Sequence, residues 1–199
     1  MERPNADIEG CRDAHARLAT EVSNVSDSVA RRAALLPDWT VGHVMTHLAR
    51  NAESMVRRVE AAARDEVIDQ YAGGVQGRAS EIEAGAGRPA HELIADVLVW
   101  SRRLDGVFES LPNDCWSRSV RTAKGGEHPV VQLPFLRWWE VEVHLVDLGI
   151  GFGPTDWSQP LVDRALRRMI AGLADRADQH SLLAWTLGRG SPPTLGPWT

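Results

Sequence analysis

The sequence predicts an all-α protein, a four-helix bundle followed by a short helical C-terminal tail. Three observations carry that expectation. Apolar residues recur every three or four positions through four long segments, the spacing of one helical face. Each segment is bounded by residues that start or stop helices, among them Thr40, Pro112 and Gly149. The composition, 43% apolar and 25% charged, is that of a soluble chain able to bury a core. At 199 residues the expected organisation is a bundle over 1–155 and a shortened, mainly helical region over 156–199.

The first helix is expected over 6–36, where Ile8, Cys11, Ala14, Leu18, Val22, Val25 and Val29 make one stripe. Pro37-Asp38-Trp39-Thr40 interrupts it. Thr40 then caps a second helix through Val41, Val44, Leu48, Met55 and Val59, ending near Arg64. Glycines at 73, 74, 77, 85 and 87 predict a long loop over 65–89, with a short helix around 79–83. A third helix is expected over 90–111, with Leu93, Val97, Trp100, Leu104, Val107 and Leu111 on one face. A short extended hairpin is expected between 116 and 130, around Gly125-Gly126. The fourth helix runs over 132–148, with Pro134 in its first turn and Gly149 as its C-terminal stop. Helices over 159–177 and 181–187 complete the tail.

Charge and cysteine usage exclude several functional classes. Net charge is −5, from 22 basic and 27 acidic residues, and the basic residues are scattered, so no nucleic-acid footprint is visible. Cys11 and Cys115 are far apart and show neither a CxxC nor a Cys/His spacing, which excludes a disulfide framework and a thiolate zinc site and suits a reducing compartment. The N-terminal residues carry charges without an apolar core, and no later segment is a membrane-spanning run, so a cytoplasmic location is expected. Asn24-Val25-Ser26 reads as a chance match to a glycosylation acceptor. The eight tryptophans, at 39, 100, 116, 138, 139, 157, 185 and 198, fit core or lid packing better than a base-stacking platform.

The residues that carry chemistry lie on two of the helices. Glu140 and His144 are four apart on the fourth helix and leave the same face; His43 and His47 have the same spacing on the second. An isolated Glu/His pair of this kind is a surface ion pair worth about 0.3–0.5 kcal/mol. Here the surrounding Phe135-Leu136-Arg137-Trp138-Trp139-Glu140-Val141 is apolar enough to turn the carboxylate inward, where it needs a cation or hydrogen-bond partners. A catalytic zinc takes about three N/O ligands and keeps one open position. Two ligands from the fourth helix and one from the second satisfy that count, and spacing alone leaves His43 and His47 tied.

The segments Trp39-Thr40-Val41-Gly42-His43-Val44-Met45-Thr46-His47-Leu48-Ala49-Arg50-Asn51-Ala52 and Arg137-Trp138-Trp139-Glu140-Val141-Glu142-Val143-His144 resemble the two metal-bearing segments of mycothiol-dependent maleylpyruvate isomerases, within the DinB-like superfamily. The resemblance implies a DinB-like bundle with His47, Glu140 and His144 as ligands of zinc or another divalent metal, His43 lying one turn away. It implies mycothiol as thiol cofactor, adding as a metal-activated thiolate to the double bond of maleylpyruvate, permitting rotation and then leaving; a thiol transferase acting on another electrophile is the alternative within the superfamily. A non-catalytic ligand-binding bundle is the reading from another class. Arg78, in the glycine-rich segment, and Arg189, in Leu187-Gly188-Arg189-Gly190-Ser191, are similar to arginines that hold the substrate's carboxylates. The chain departs from the family where Ala177-Asp178-Gln179-His180-Ser181 leads almost directly from one helix to the next, leaving no room for the strands of the usual C-terminal α+β domain.

Overall fold

A computed structural model describes residues 1–196, which divide into two compact units, Met1–Asp156 and the residues from Trp157 onward. The first unit contains α1 (Asn5–Val22), α2 (Asp27–Ala30), α3 (Val41–Ala62), α4 (Gly74–Ala86), α5 (Ala90–Ser110), the hairpin β1 (Ser119–Arg121) and β2 (Glu127–Pro129), and α6 (Leu133–Asp147). The long helices α1, α3, α5 and α6 form the bundle. Its core is continuous, from Leu18 on α1 through Leu48 and Val56 on α3 and Leu93 and Leu104 on α5 to Val141 and Leu145 on α6, all fully buried. The fold of this unit is the four-helix bundle that the sequence leads one to expect.

The arrangement of the four helices decides where chemistry can occur. Helix α1 packs against α5 and α6, and α3 packs against the same two. The first two long helices of the chain therefore lie across a diagonal, joined by the 23–40 segment. Every residue that α3 turns toward α6 meets a partner from the far end of the bundle sequence.

Element bounds follow local chemistry. Thr40 caps α3 as expected, its hydroxyl accepting from the His43 amide while the His43 ring accepts from the Thr40 amide, a reciprocal box that satisfies two end donors. Helix α6 starts with proline in its first turn and ends at Asp147, two residues before Gly149, whose φ of 62° is the left-handed stop expected there. The hairpin pairs Ser119 with Pro129 in antiparallel register.

Two expectations fail. The helix expected over 6–36 ends at Val22, and a separate single turn follows over Asp27–Ala30. Short polar side chains break it: the Ser23 hydroxyl donates to the Thr20 carbonyl, and Ser26 caps the second turn by accepting from the Val29 amide. The loop expected over 65–89, with its short helix around 79–83, is in large part the thirteen-residue helix α4, packed on α3. Its glycines serve close approach: a Cβ on Gly85 would stand 2.5 Å from the Thr46 methyl, and one on Gly42 of α3 would stand 2.2 Å from the Ala86 carbonyl oxygen. Propensity read the glycines as breakers, whereas packing against α3 overrides it.

The second unit holds α7 (Gln159–Ala171), shorter than the expected 159–177 because Gly172 ends it, and α8 (Gln179–Thr186), capped by Asp178. Among the described residues this unit contains no strand. Of the tryptophans, Trp116, Trp138 and Trp139 are buried, as core packing requires, and Trp198 lies outside the described residues.

Candidate metal centre

His47 from α3 and Glu140 and His144 from α6 converge at the junction of those two helices. His47 Nε2 lies 2.8 Å from Glu140 Oε1 and 3.1 Å from His144 Nε2, and His144 Nε2 lies 3.6 Å from the same carboxylate oxygen. Three N/O donors thus face one point, a grouping that suits a divalent cation. The side chains are 2%, 23% and 12% exposed for His47, Glu140 and His144, so the cluster is walled by the bundle and open past the carboxylate. That is the access an exchangeable fourth position needs.

The surrounding side chains fix how these donors point. Asp147, three residues past His144, receives the Nδ1 proton of that imidazole at 2.8 Å, which leaves Nε2 as the inward atom. Asn51, one turn past His47, donates its amide to Glu140 Oε1 at 3.3 Å. Arg78 Nη2 donates to His47 Nδ1 at 3.1 Å, and the Trp39 ring stands edge-on to His47 at 5.8 Å between centroids. Burial opposes charge on both histidines, and the outcomes diverge. Desolvation takes His47 down to about 4 despite its bond to Glu140. For His144 the bonds to Asp147 and Glu140 outweigh desolvation and raise it to about 9. Glu140 is held well below the usual carboxylate range, because the two imidazoles outweigh the desolvation that pushes it up.

His43, tied with His47 by spacing, stays out of the cluster. It sits in the first turn of α3, where its Nδ1 is committed to Thr40 and its Nε2 lies 3.2 Å from Glu83 of α4. Arg78 reaches the cluster from α4, not from a loop. Arg189 belongs to the second unit, where it is exposed and donates to the Leu187 carbonyl.

A second three-donor group lies deeper in the bundle. Cys11 and His15, one turn apart on α1, meet Asp105 of α5. Cys11 and His15 are four apart on one face of α1, a Cys/His spacing that corrects the expectation of none. His15 Nδ1 is 2.8 Å from Asp105 Oδ1, while Cys11 Sγ is 4.0 Å from both ring nitrogens. The fully buried Arg137 donates from Nε to His15 Nε2 at 3.0 Å, and from Nη1 to the Leu48 carbonyl and Asn51 Oδ1, each at 3.0 Å. Burial pushes the Cys11 thiol far up, so a thiolate is not available there. The positive charge of this group is the guanidinium.

Residues 11–149 match the family model of the mycothiol maleylpyruvate isomerase N-terminal domain. The chain belongs to the mycothiol maleylpyruvate isomerase family. A crystal structure of the mycothiol-dependent maleylpyruvate isomerase superposes with a TM-score of 0.76 at 25% identity, covering 80% of this chain and 66% of that one. This chain therefore spans less than two thirds of that enzyme's length. A second structure of the same enzyme, carrying one substitution, gives the same score at 24% identity and the same coverage. YfiT from Bacillus subtilis, described as a probable metal-dependent hydrolase with an unusual four-helix bundle topology, superposes at 0.61 with 15% identity, covering 81% of this chain and 87% of its own, which speaks to fold alone. No curated protein sequence matches the chain. No helix among the described residues is long and apolar enough to cross a membrane.

Of the residues around the cluster, the sequence reading missed Asp147, Asn51 and Arg137. Each left a signal. Asp147 and Asn51 fall three and four positions from His144 and His47 on the same faces, and Arg137 is a lone charge in an apolar run.

Proposed function

We propose that the protein is an enzyme that holds a divalent metal, zinc in the first instance, on His47, Glu140 and His144 and uses it with mycothiol on a small electrophile, maleylpyruvate or a related unsaturated dicarboxylate. The observation that carries this reading is the convergence of two imidazole Nε2 atoms and one carboxylate oxygen within 3.6 Å at a cluster with one open side. The donor set fits zinc, which is borderline-soft and accepts N and O ligands in tetrahedral geometry. When bound, such an ion lowers the pKa of a coordinating thiol, and the resulting thiolate is a nucleophile at neutral pH.

The chain's own residues supply orientation and charge. Asp147 sets the His144 tautomer, and Asn51 sets the Glu140 carboxylate. With Nε2 of His47 as a ligand, Nδ1 carries the proton, so Arg78 can no longer donate to it; the guanidinium is freed to hold a substrate carboxylate as a fork. Arg189 is proposed for the second carboxylate, on the strength of the Gly-Arg-Gly-Ser match. Trp39 walls the site beside His47 and excludes water. The cell compartment proposed is the cytoplasm.

The test is an assay of maleylpyruvate conversion with and without mycothiol, run beside metal quantification on untagged protein. Cis–trans conversion at catalytic thiol supports the isomerase, and stoichiometric thiol consumption moves the assignment to a thiol transferase. Less than about a third of a metal per chain, unchanged by His47→Ala, ends both readings.

A further inference from the structure

Arg137 is fully buried, and none of its hydrogen-bond partners is a carboxylate. Its Nη2 has no hydrogen-bond partner at all. A buried cation in that condition is costly to desolvate, and a core in which it and its polar partners were all replaced by well-packed apolar residues would be as stable or more so. Its charge is met one hydrogen bond further out on each side: by Asp105 through His15, and by Glu140 through Asn51.

A guanidinium only donates, and this fixes the direction of every bond in the chain. His15 must present a bare Nε2 to Arg137, so its proton is on Nδ1 and goes to Asp105. Asn51 must turn its carbonyl oxygen to Arg137, so its amide nitrogen faces Glu140. An asparagine by itself can flip its amide end for end. With Arg137 on one side, flipping would set the NH2 group against the guanidinium and the carbonyl oxygen against the carboxylate, and both contacts would turn repulsive.

We propose that Arg137 is a positioning residue for Glu140: acting through Asn51, it fixes the direction of the amide and so holds the carboxylate in the orientation that faces His47 and His144. This rests on the reading of those three residues as a metal centre. The relay runs Asp105–His15–Arg137–Asn51–Glu140 and draws on all four bundle helices, so the orientation of Glu140 is tied to α1 and α5 as well as to the two helices that bear the centre.

The test titrates zinc into the metal-free full chain against a chelator of known affinity, and records the visible spectrum of the cobalt-loaded protein. Asn51→Leu is expected to weaken zinc by about 10–100-fold, the range for partners behind a ligand, and to shift the cobalt d–d bands at saturation. Leu104→Ala, a core change on α5, is the control for general loosening and is expected to leave the bands in place. Arg137→Met is expected to weaken zinc by a comparable factor, and the double variant to be no weaker than Asn51→Leu alone; losses that multiply would overturn the relay. Should Arg137→Met fail to fold, Asn51→Asp decides, since it still accepts from Arg137 but cannot donate to Glu140. It is expected to bind zinc more weakly than the wild type, and equal or tighter binding overturns the proposal. Wild-type protein that binds zinc no better than His47→Ala removes the metal reading and this inference together. Wild-type binding that is matched by Asn51→Leu removes this inference alone.

Discussion

Two groups of three potential ligands lie in one bundle, and only one of them is proposed to take an outside cation. His47, Glu140 and His144 face an open point at the α3–α6 junction. Cys11, His15 and Asp105 include the softer ligand, yet Arg137 stands against His15 at 3.0 Å and its charge occupies the role a metal would take. The difference teaches that ligand type and proximity do not make a metal site. What separates them is where the built-in cation stands: Arg78 meets His47 on Nδ1 and leaves Nε2 to face Glu140 and His144, whereas Arg137 and Asp105 between them take both ring nitrogens of His15.

The largest effect that separates the two groups is on metal affinity. His47→Ala or His144→Ala is expected to weaken zinc by more than about 100-fold, beyond the range of outer partners, whereas Cys11→Ser is expected to change it less than about threefold. Chelator competition measures both, and a large loss with Cys11→Ser would show that the wrong group had been chosen. Next in size is stability. Arg137→Met is expected to destabilise the metal-free protein by about 3–5 kcal/mol in urea unfolding, because His15, Asn51 and the Leu48 carbonyl lose a buried charged partner. A loss below about 1 kcal/mol would mean that the inner group does not depend on its built-in cation.

How much of this contrast was legible in the sequence depends on the kind of information each part needs. The Glu140/His144 pair and the bounds of α3, α5 and α6 follow from helical periodicity and end signals, which are local. The break between α1 and α2 was invisible to the same periodicity, since Val25 continues the stripe and is buried although the helix has stopped. The full length of helix α4 was hidden, beyond the short helix expected around 79–83, because a glycine that breaks a helix and a glycine that lets two helices touch are the same letter; only Thr46 and Ala86 in space distinguish them. The choice of His47 over His43 needed the family resemblance, and the capping role of His43 gives it a physical reason. The relay through Arg137 needed three-dimensional contacts throughout.

A smaller effect concerns what lies behind His144. Asp147→Asn leaves the side chain in place but removes the charge that orients the imidazole, and zinc affinity is expected to fall about tenfold, at the low end of the range for such partners. An unchanged affinity would mean that the α6 backbone alone orients His144. The smallest effect is on pH dependence. Burial lowers the pKa of His15 even though Asp105 favours its protonated form, so as pH falls the unfolded chain takes up this proton first. The stabilisation from neutral His15 is therefore complete above about pH 6.5, its unfolded value, and declines as the pH drops below it. His15→Gln in metal-free protein should flatten that acid limb in urea midpoints, and an identical slope would place the acid sensitivity elsewhere.

The diagonal placement of α1 and α3 has a consequence in time. His47 and Glu140 are 93 residues apart along the chain. At translation rates of about 5–20 residues per second, roughly 5–20 s separate the synthesis of the two. During that interval the nascent chain offers His47 without either donor from α6. The α3–α6 junction closes only with the last bundle helix, so a metal held on all three donors, as proposed, would be captured only once that helix is made. Loading would then follow folding and draw on the metal supply that meets a finished bundle.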